Sequence, residues 1–117
     1  QSELVTYYNQ SDVATLGSVE EGMAYVLAQA AACGLPLVCT ENTGGREIVG
    51  NDVCGIVVPP RDPAALADGF RLLHADTGLR ERLGMAAREC VGSSFTWRNY
   101  AERALGHYRR LVAKGAN

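Results

Sequence analysis

Several features are scarce in this chain of 117 residues, and each scarcity argues against a class of protein. Lys and Arg number 11 against 13 Asp and Glu, which gives a formal net charge of −2. Nucleic-acid-binding domains usually carry a basic face, so no nucleic-acid partner is expected. No apolar run reaches the ~18 residues of a membrane span. The most apolar stretch, residues 23–39, is interrupted by Gln29, Gly34 and Pro36.

Closely spaced metal ligands are also missing. The four cysteines stand at positions 33, 39, 54 and 90 without a Cys-x-x-Cys pair, and His74 and His107 are far from all of them. Zinc sites need ligands at short spacing, so we expect no metal. Three of the cysteines interrupt apolar segments, which predicts reduced thiols in the core and a cytoplasmic protein.

What the sequence does contain is ordinary for a globular domain. Apolar residues make up 47% of the chain, and its length suits a single core. The first residue is Gln1 rather than Met, and the opening residues already have helical spacing. We therefore expect one fragment, residues 1–117, cut from a longer protein.

Short strands alternate with helices over residues 1–60, which predicts a parallel sheet with helices packed on it. Ser18 followed by Glu21 is a capping box, so a helix is expected to start there and to run to about Ala32. The apolar run at 55–58 is typical of a strand buried on both faces. The other elements predicted here are a helix over 3–10, strands over 13–16 and 37–40, and one helical turn over 46–50.

Residues 61–117 are predicted to be entirely helical. Asp62 followed by Pro63 is a typical N-cap and first helical residue. Apolar residues at helical spacing then predict further helices over about 77–92 and 96–113. The fold class is therefore α/β, a partial Rossmann-like domain with a small parallel sheet and an all-helical tail.

Ligands of parallel α/β sheets bind beyond the carboxyl ends of the strands. Two glycine-containing turns, 17–22 and 41–45, leave strand ends here. The amides of the expected helix N-terminus at 22–25 could attract phosphate, although glycines at such turns are more often turn residues only. Glu21 and Gln29 would stand about 12 Å apart along a helix and could touch opposite ends of an elongated ligand. The alternatives are a capping role for Glu21 and a solvated position for Gln29.

Several segments, in the same order and at the same spacing along the chain, resemble the donor-binding half of retaining GT-B glycosyltransferases of the glycosyl transferase group 1 (family 4) type. Those enzymes carry a Ser-x-x-Glu-Gly-Phe-Gly turn, a Glu-x7-Glu pair, Ala-x-Gly-x-Pro-Val, Gly-x-Pro/Arg-Glu, Val-Pro-Pro-x-Asp-Pro and Phe-Ser/Thr-Trp. The corresponding segments here are 18–23, 29–38, 43–49, 57–63 and 95–97. The match covers nearly the whole chain.

The resemblance implies a nucleoside-diphosphate-sugar donor and no obligate metal. By it, Glu21 contacts hydroxyls of the donor sugar and Gln29 contacts the nucleotide ribose. The backbone after Glu21 would hold the diphosphate, and a second turn would line the same cleft. The donor-binding residues implied in this way are Gly22, Met23, Ala24, Tyr25, Gln29, Thr43, Gly44 and Gly45, with Glu21 as the sugar-positioning residue.

Two departures from the family pattern leave alternatives open. Gln29 replaces the second Glu, and Met23-Ala24 replaces Phe-Gly. The family's acceptor domain and its Arg/Lys pair lie upstream, so this fragment is expected to be inactive alone. A non-catalytic nucleotide-sugar-binding or regulatory module and a nucleotide-sugar 2-epimerase-like enzyme are the alternatives. Exposed strand edges could pair copies of the chain, and the parent protein could contact a membrane surface peripherally.

Overall fold

The computed structural model describes residues 2–50 and 53–115 and has a parallel sheet at its centre. Strand β2 (Leu37–Thr40) lies between β1 (Ala14–Leu16) and β3 (Gly55–Val58). Ala14 is paired with Leu37, and Leu37 with Gly55. The predicted parallel sheet is confirmed, and all three strands therefore end at the same edge.

The described part of the chain has six α-helices and one short 3-10 helix, Glu41–Thr43. Asp62 caps the fourth α-helix as predicted, because its carboxylate accepts the amide of Ala65 at 2.9 Å and Pro63 takes the first helical position. Asp76 caps the fifth in the same way through Leu79. The α-helices are α1 (Ser2–Asn9), α2 (Tyr25–Ala32), α3 (Gly45–Val49), α4 (Pro63–Ala75), α5 (Thr77–Ser94) and α6 (Trp97–Gly115).

The larger part of the core lies between one face of the sheet and α2, α3 and α5. Leu37 and Cys39 point to this face and are completely buried. Helix α5 approaches the end of α2 very closely, because a Cβ on Gly84 would lie 2.2 Å from the carbonyl oxygen of Gly34. This contact fixes α2 against the sheet.

The opposite face of β2 is covered by α4. Val38 is buried there with Leu73 and Leu83. Gly69 allows the close approach, since a Cβ at this position would already be 3.0 Å from Val38. Helices on both faces leave the strand ends as the open edge of the sheet.

The prediction that β3 is buried on both faces is wrong in part. Gly55 and Val58 are buried, whereas Ile56 and Val57 are half-buried. The physical reason is the position of β3 at the side of the described sheet. Strand β2, which has a neighbour on each side, is buried at all four positions.

Helix α6 is long but hardly packed. None of its described side chains is buried, although its apolar residues fall on one stripe as predicted. Trp97 is 74% exposed and Val112 is 73% exposed. In the described residues, no helix combines the length and the apolar character required to cross a membrane.

Candidate functional site

Two loops that follow neighbouring strands are joined to each other by their backbones. The amide of Glu21, in the loop after β1, donates to the carbonyl of Asn42 at 2.8 Å. The amide of Ala24 donates to the carbonyl of Thr43 at 3.3 Å. Residues 17–24 and 41–44, the strand-end loops from here on, therefore form one unit at the edge of the sheet.

Thr40 ties the base of this unit together. It is the last residue of β2, and only 4% of it is exposed. Its hydroxyl donates to the carbonyl of Ser18 in the first loop, while its own carbonyl accepts the hydroxyl of the fully buried Thr43 at 2.7 Å. Thr40 is not among the residues predicted from the sequence, although a threonine at the end of an otherwise apolar strand is a signal that could have indicated it.

Two successive glycines, Gly44 in the second loop and Gly45 at the start of α3, leave no room for a side chain. Gly44 has a φ of 70°, and a Cβ there would lie 3.0 Å from the Cα of Met23 and 3.1 Å from the carbonyl oxygen of Gly22. A Cβ on Gly45 would lie 2.2 Å from the sulfur of Cys39. The glycine turn therefore packs directly against Gly22 and Met23. A glycine needed only for the conformation of a turn would not have to lie so close to another segment.

The predicted capping box at Ser18 and Glu21 does not start a helix. Their side chains bond to each other, with 3.0 Å between Ser18 Oγ and Glu21 Oε1. Helix α2 begins at Tyr25, and its N-cap residue, Ala24, makes no side-chain cap. The reason is that the amides of Glu21 and Ala24 are taken by the second loop. The 12 Å helical spacing expected between Glu21 and Gln29 is therefore also wrong, because Glu21 precedes the helix.

The N-terminus of α2 nevertheless presents free donors. Within residues 2–50 and 53–115, the amides of Met23 and Tyr25 have no hydrogen-bond partner, whereas Ala24 is engaged by Thr43. Unpaired amides at a helix start carry a partial positive charge. Two of the three amides expected to meet phosphate are thus available.

Gln29 faces a groove that begins at the start of α2. The hydroxyl of Tyr8 donates to its side-chain carbonyl oxygen at 3.4 Å. The groove has a volume of about 730 Å³ and runs between α2 and the start of α6. Met23 and Tyr25 also line it, whereas Glu21 and residues 43–45 are not part of its lining.

Aromatic side chains form the other wall of this groove. The ring of Tyr25 stacks on Trp97 with 6.2 Å between centroids, and Trp97 meets Tyr100 edge to face at 5.9 Å. Arg103 adds a positive charge. Trp97 and Tyr100 are not among the site residues predicted from the sequence, because aromatic residues at helical spacing are equally typical of a packing stripe.

The strand-end loops carry three carboxylates, those of Glu20, Glu21 and Glu41, and no Lys or Arg. Arg46 and Glu41 form an exposed ion pair at 2.8 Å beside the glycine turn. Burial raises the pKa of the Cys39 thiol to about 11, against an opposing hydrogen bond with Thr43. In the part of the chain that the structure describes, no three His, Cys, Asp or Glu side chains are placed so that they could hold a metal ion together.

A parallel sheet with helices on both faces and joined loops at the ends of neighbouring strands is an α/β arrangement of Rossmann type. Comparison with known proteins identifies the family. Residues 1–90 match the sequence model described as Glycosyl transferases group 1, and the chain belongs to this family.

Named relatives agree with this assignment. The D-inositol 3-phosphate glycosyltransferase of Xylanimonas cellulosilytica is 38% identical over 111 residues, which are 95% of this chain and 26% of the relative. Sucrose-phosphate synthase from Thermosynechococcus elongatus superposes with a TM-score of 0.83 at 32% identity, over 96% of this chain and 28% of the other. Anabaena HepE in complex with UDP has the same fold, with a TM-score of 0.83 at 19% identity over 94% of this chain and 30% of the other.

The chain therefore spans about a quarter of the length of the relatives it matches. Its three-stranded sheet with flanking helices corresponds to part of a GT-B glycosyltransferase.

Proposed function

We propose that this chain is the donor-binding part of a retaining glycosyltransferase that uses a nucleoside-diphosphate sugar. The observation that carries the proposal is the pair of unpaired amides, Met23 and Tyr25, beside the joined strand-end loops. A diphosphate needs such donors, and the positive end of α2 adds to the attraction. The structure of HepE with UDP supports this class of ligand.

In this proposal the diphosphate lies on the amides of residues 23–25, and the Ala24 amide exchanges its bond to Thr43 for a phosphate oxygen. Glu21 is exposed next to them and accepts hydrogen bonds from hydroxyls of the sugar. Gln29 lies one helical turn beyond Tyr25, on the same side of α2, and binds the ribose. Residues 22 and 43–45 shape the turn that holds the diphosphate in place.

The chemistry we propose for the whole protein is transfer of the sugar to an acceptor hydroxyl with its anomeric configuration kept. The bond from the anomeric carbon to the diphosphate breaks, so negative charge develops on the leaving group. Donors that are already oriented stabilise that charge with little reorganisation. We propose that helix amides and basic side chains provide this stabilisation without an obligate metal.

The acceptor site and further basic groups are proposed to lie in the rest of the parent chain, on an upstream N-terminal domain. The apolar stripe of α6 supports this partner, since Tyr108 is 67% and Leu111 is 65% exposed. Contiguous exposed apolar surface often marks an interface with another domain or protein. The piece described here is therefore expected to bind donor weakly and not to turn over alone. The free thiols of all four cysteines support a cytoplasmic location.

The test compares two glycines in the whole protein. Gly44→Ala pushes the glycine turn against Met23 and Gly22, while Gly50→Ala introduces a Cβ with no described atom within 4 Å. Both glycines have a positive φ, so both substitutions carry the same kind of backbone strain. Calorimetric titration with UDP, and with GDP, measures donor-nucleotide affinity.

We expect Gly44→Ala to weaken the binding of the preferred nucleotide at least tenfold, because the loops beside the amides must separate. Gly50→Ala should bind as the unmodified protein does. Equal affinity in both variants would place the nucleotide elsewhere. Failure of the unmodified protein to bind either nucleotide at millimolar concentration would overturn the proposal as a whole.

A second function, a non-catalytic nucleotide-sugar-binding module, is favoured by two observations. Position 29 holds an amide instead of a carboxylate, and the Ala24 amide is already occupied. If Gln29 still faces a ribose, Gln29→Glu should tighten nucleotide binding by about 1 kcal/mol, because the hydrogen bond becomes charge-assisted.

Calorimetry with Gln10→Glu, which adds the same charge at a residue outside the proposed site, is the control. Tighter binding in the Gln29 variant alone, together with sugar transfer by the unmodified protein, favours the enzyme. Tighter binding without transfer favours the module, and unchanged affinity removes Gln29 from the ribose site.

A further inference from the structure

Two of the four cysteines lie together where the chain enters β3 and passes α5. Cys54 immediately precedes β3 and is 3% exposed. Cys90 lies on α5 and is half-buried. The two residues are remote from each other in the sequence, so the fold alone brings them together.

The hydrogen bond of the Cys54 thiol places it beside the turn of α5 that carries Cys90. The thiol of Cys54 donates to the carbonyl of Ala86 at 3.4 Å. In an α-helix that carbonyl also accepts the amide four residues later, which belongs to Cys90. Burial, together with smaller contributions from the neighbouring Cys90 and Glu89, raises the pKa of the Cys54 thiol to about 11.

The thiol of Cys90 reaches towards a different element. It donates to the carbonyl of Ile48, in α3, at 3.2 Å. Helix α3 begins at Gly45, so its other end is the glycine turn of the strand-end loops. A change at Cys90 would therefore act on the helix that carries this turn.

The other two cysteines differ in their surroundings. Cys39 is fully buried beneath Gly45, and its sulfur would be 2.2 Å from a Cβ on that glycine. Cys33 is half-buried and caps the end of α2. Cys33 is therefore a suitable control, because it is half-buried like Cys90 but lies at the end of a different helix.

We propose that Cys54 and Cys90 are a site of reversible oxidation and form a disulfide with each other. This inference does not depend on the proposed sugar transfer. Its oxidant is a low-molecular-weight disulfide such as oxidised glutathione. The more exposed thiol, Cys90, loses its proton and attacks the reagent, whose sulfur–sulfur bond breaks to release one small thiol.

Cys54 completes the exchange. It loses its proton and attacks the Cys90 sulfur of the mixed disulfide, and the second small thiol leaves. Two cysteines are oxidised by two electrons in total, and the reagent is reduced to two thiols. The new bond ends the hydrogen bond from Cys90 to Ile48 and closes residues 54–90 into a loop, which stabilises the folded chain against unfolding.

Trypsin places Cys54 and Cys90 in two different peptides, so a disulfide between them can be identified directly. Cleavage after Arg and Lys leaves Cys54 in residues 47–61 and Cys90 in residues 89–98, while the remaining two cysteines share residues 1–46. The whole protein is incubated with oxidised glutathione, its remaining thiols are alkylated, and it is digested without reductant. Mass spectrometry then identifies any linked peptides.

We expect one linked product, residues 47–61 joined to 89–98, with a mass about 2 Da below the sum of the two peptides because two hydrogens are lost. Dithiothreitol should separate them. The thermal unfolding midpoint of the oxidised protein should exceed that of the reduced protein. Alkylated Cys54 beside a persistent mixed disulfide on Cys90 would overturn the proposal, as would no reaction at either residue.

Matched variants separate this pair from general thiol oxidation. Cys54→Ser and Cys90→Ser should each abolish the linked product and the rise in midpoint. Cys33→Ser should retain both. If a serine variant fails to fold, the peptide map of the unmodified protein decides alone, and links through Cys33 in that map would contradict the proposal.

Discussion

The strand-end loops and the last helix are held by different forces. In the loops, backbone groups from distant segments bond to each other, as Glu21 does to Asn42 at 2.8 Å, and Thr40 is buried beneath them. In α6 no described side chain is buried, and Trp97 is 74% exposed. The α/β part is therefore sensitive to the loss or gain of single atoms. Beyond the groove-lining residues at its start, the apolar stripe of α6 is exposed, so similar changes there should have little effect.

The largest contrast is expected from removing an apolar side chain in each region. Leu37 is completely buried in β2, whereas Leu111 in α6 is 65% exposed. Leu37→Ala should lower the free energy of unfolding by about 3 kcal/mol, because it leaves a cavity. Leu111→Ala should change it by less than about 0.5 kcal/mol. Urea denaturation measures both, and equal losses would mean that α6 is packed in solution.

A smaller contrast is expected from adding one methyl group to a helical glycine. A Cβ at Gly84 in α5 would meet the carbonyl oxygen of Gly34 at 2.2 Å, while at Gly106 in α6 it meets no described atom within 4 Å. Gly84→Ala should lower the free energy of unfolding by about 2 kcal/mol, because the added methyl group overpacks the contact. Gly106→Ala should raise the free energy of unfolding by about 0.5 kcal/mol, because alanine loses less backbone entropy than glycine on folding. Urea denaturation measures both changes. A gain in both variants would show that α5 and α2 lie further apart than described.

The smallest effect is expected at the turn between β3 and α4. Arg61 has a left-handed φ of 60°, which is costly for a residue with a Cβ. Arg61→Gly relieves this strain in the folded state but also gives the unfolded chain more conformational freedom. The net result should be a free energy of unfolding that is higher by about 0.5 kcal/mol.

The same change inside α4 is the control for this prediction. Arg71→Gly should lower stability by about 1 kcal/mol, because glycine disfavours a helix interior. Thermal unfolding compares the two variants. A loss of similar size at both positions would contradict the left-handed conformation of Arg61.

The elements that could be predicted from the sequence are those fixed by local signals. Strand β2 occupies the predicted 37–40, and Asp62 caps α4 as its sequence indicates. Helices α5 and α6 follow from apolar spacing. These features depend on propensity, capping and period, which neighbouring residues determine.

The features that could not be predicted depend on partners far along the chain. The amides of Glu21 and Ala24 bond to Asn42 and Thr43, so α2 begins at Tyr25 instead of at the capping box. The groove likewise combines Tyr25 with Trp97, which local spacing cannot bring together. The family's motifs supplied the candidate residues, but the shape of this region follows from these long-range contacts.

The most direct test of the central claim is an amide NMR spectrum of the isotopically labelled whole protein during titration with UDP. The account predicts that the Met23 and Tyr25 amide resonances move together, with the Ala24 signal following as its bond to Thr43 is exchanged. The amide of Gly106 in α6 should stay in place. Saturable UDP binding that leaves the resonances of residues 23–25 unmoved would contradict the account.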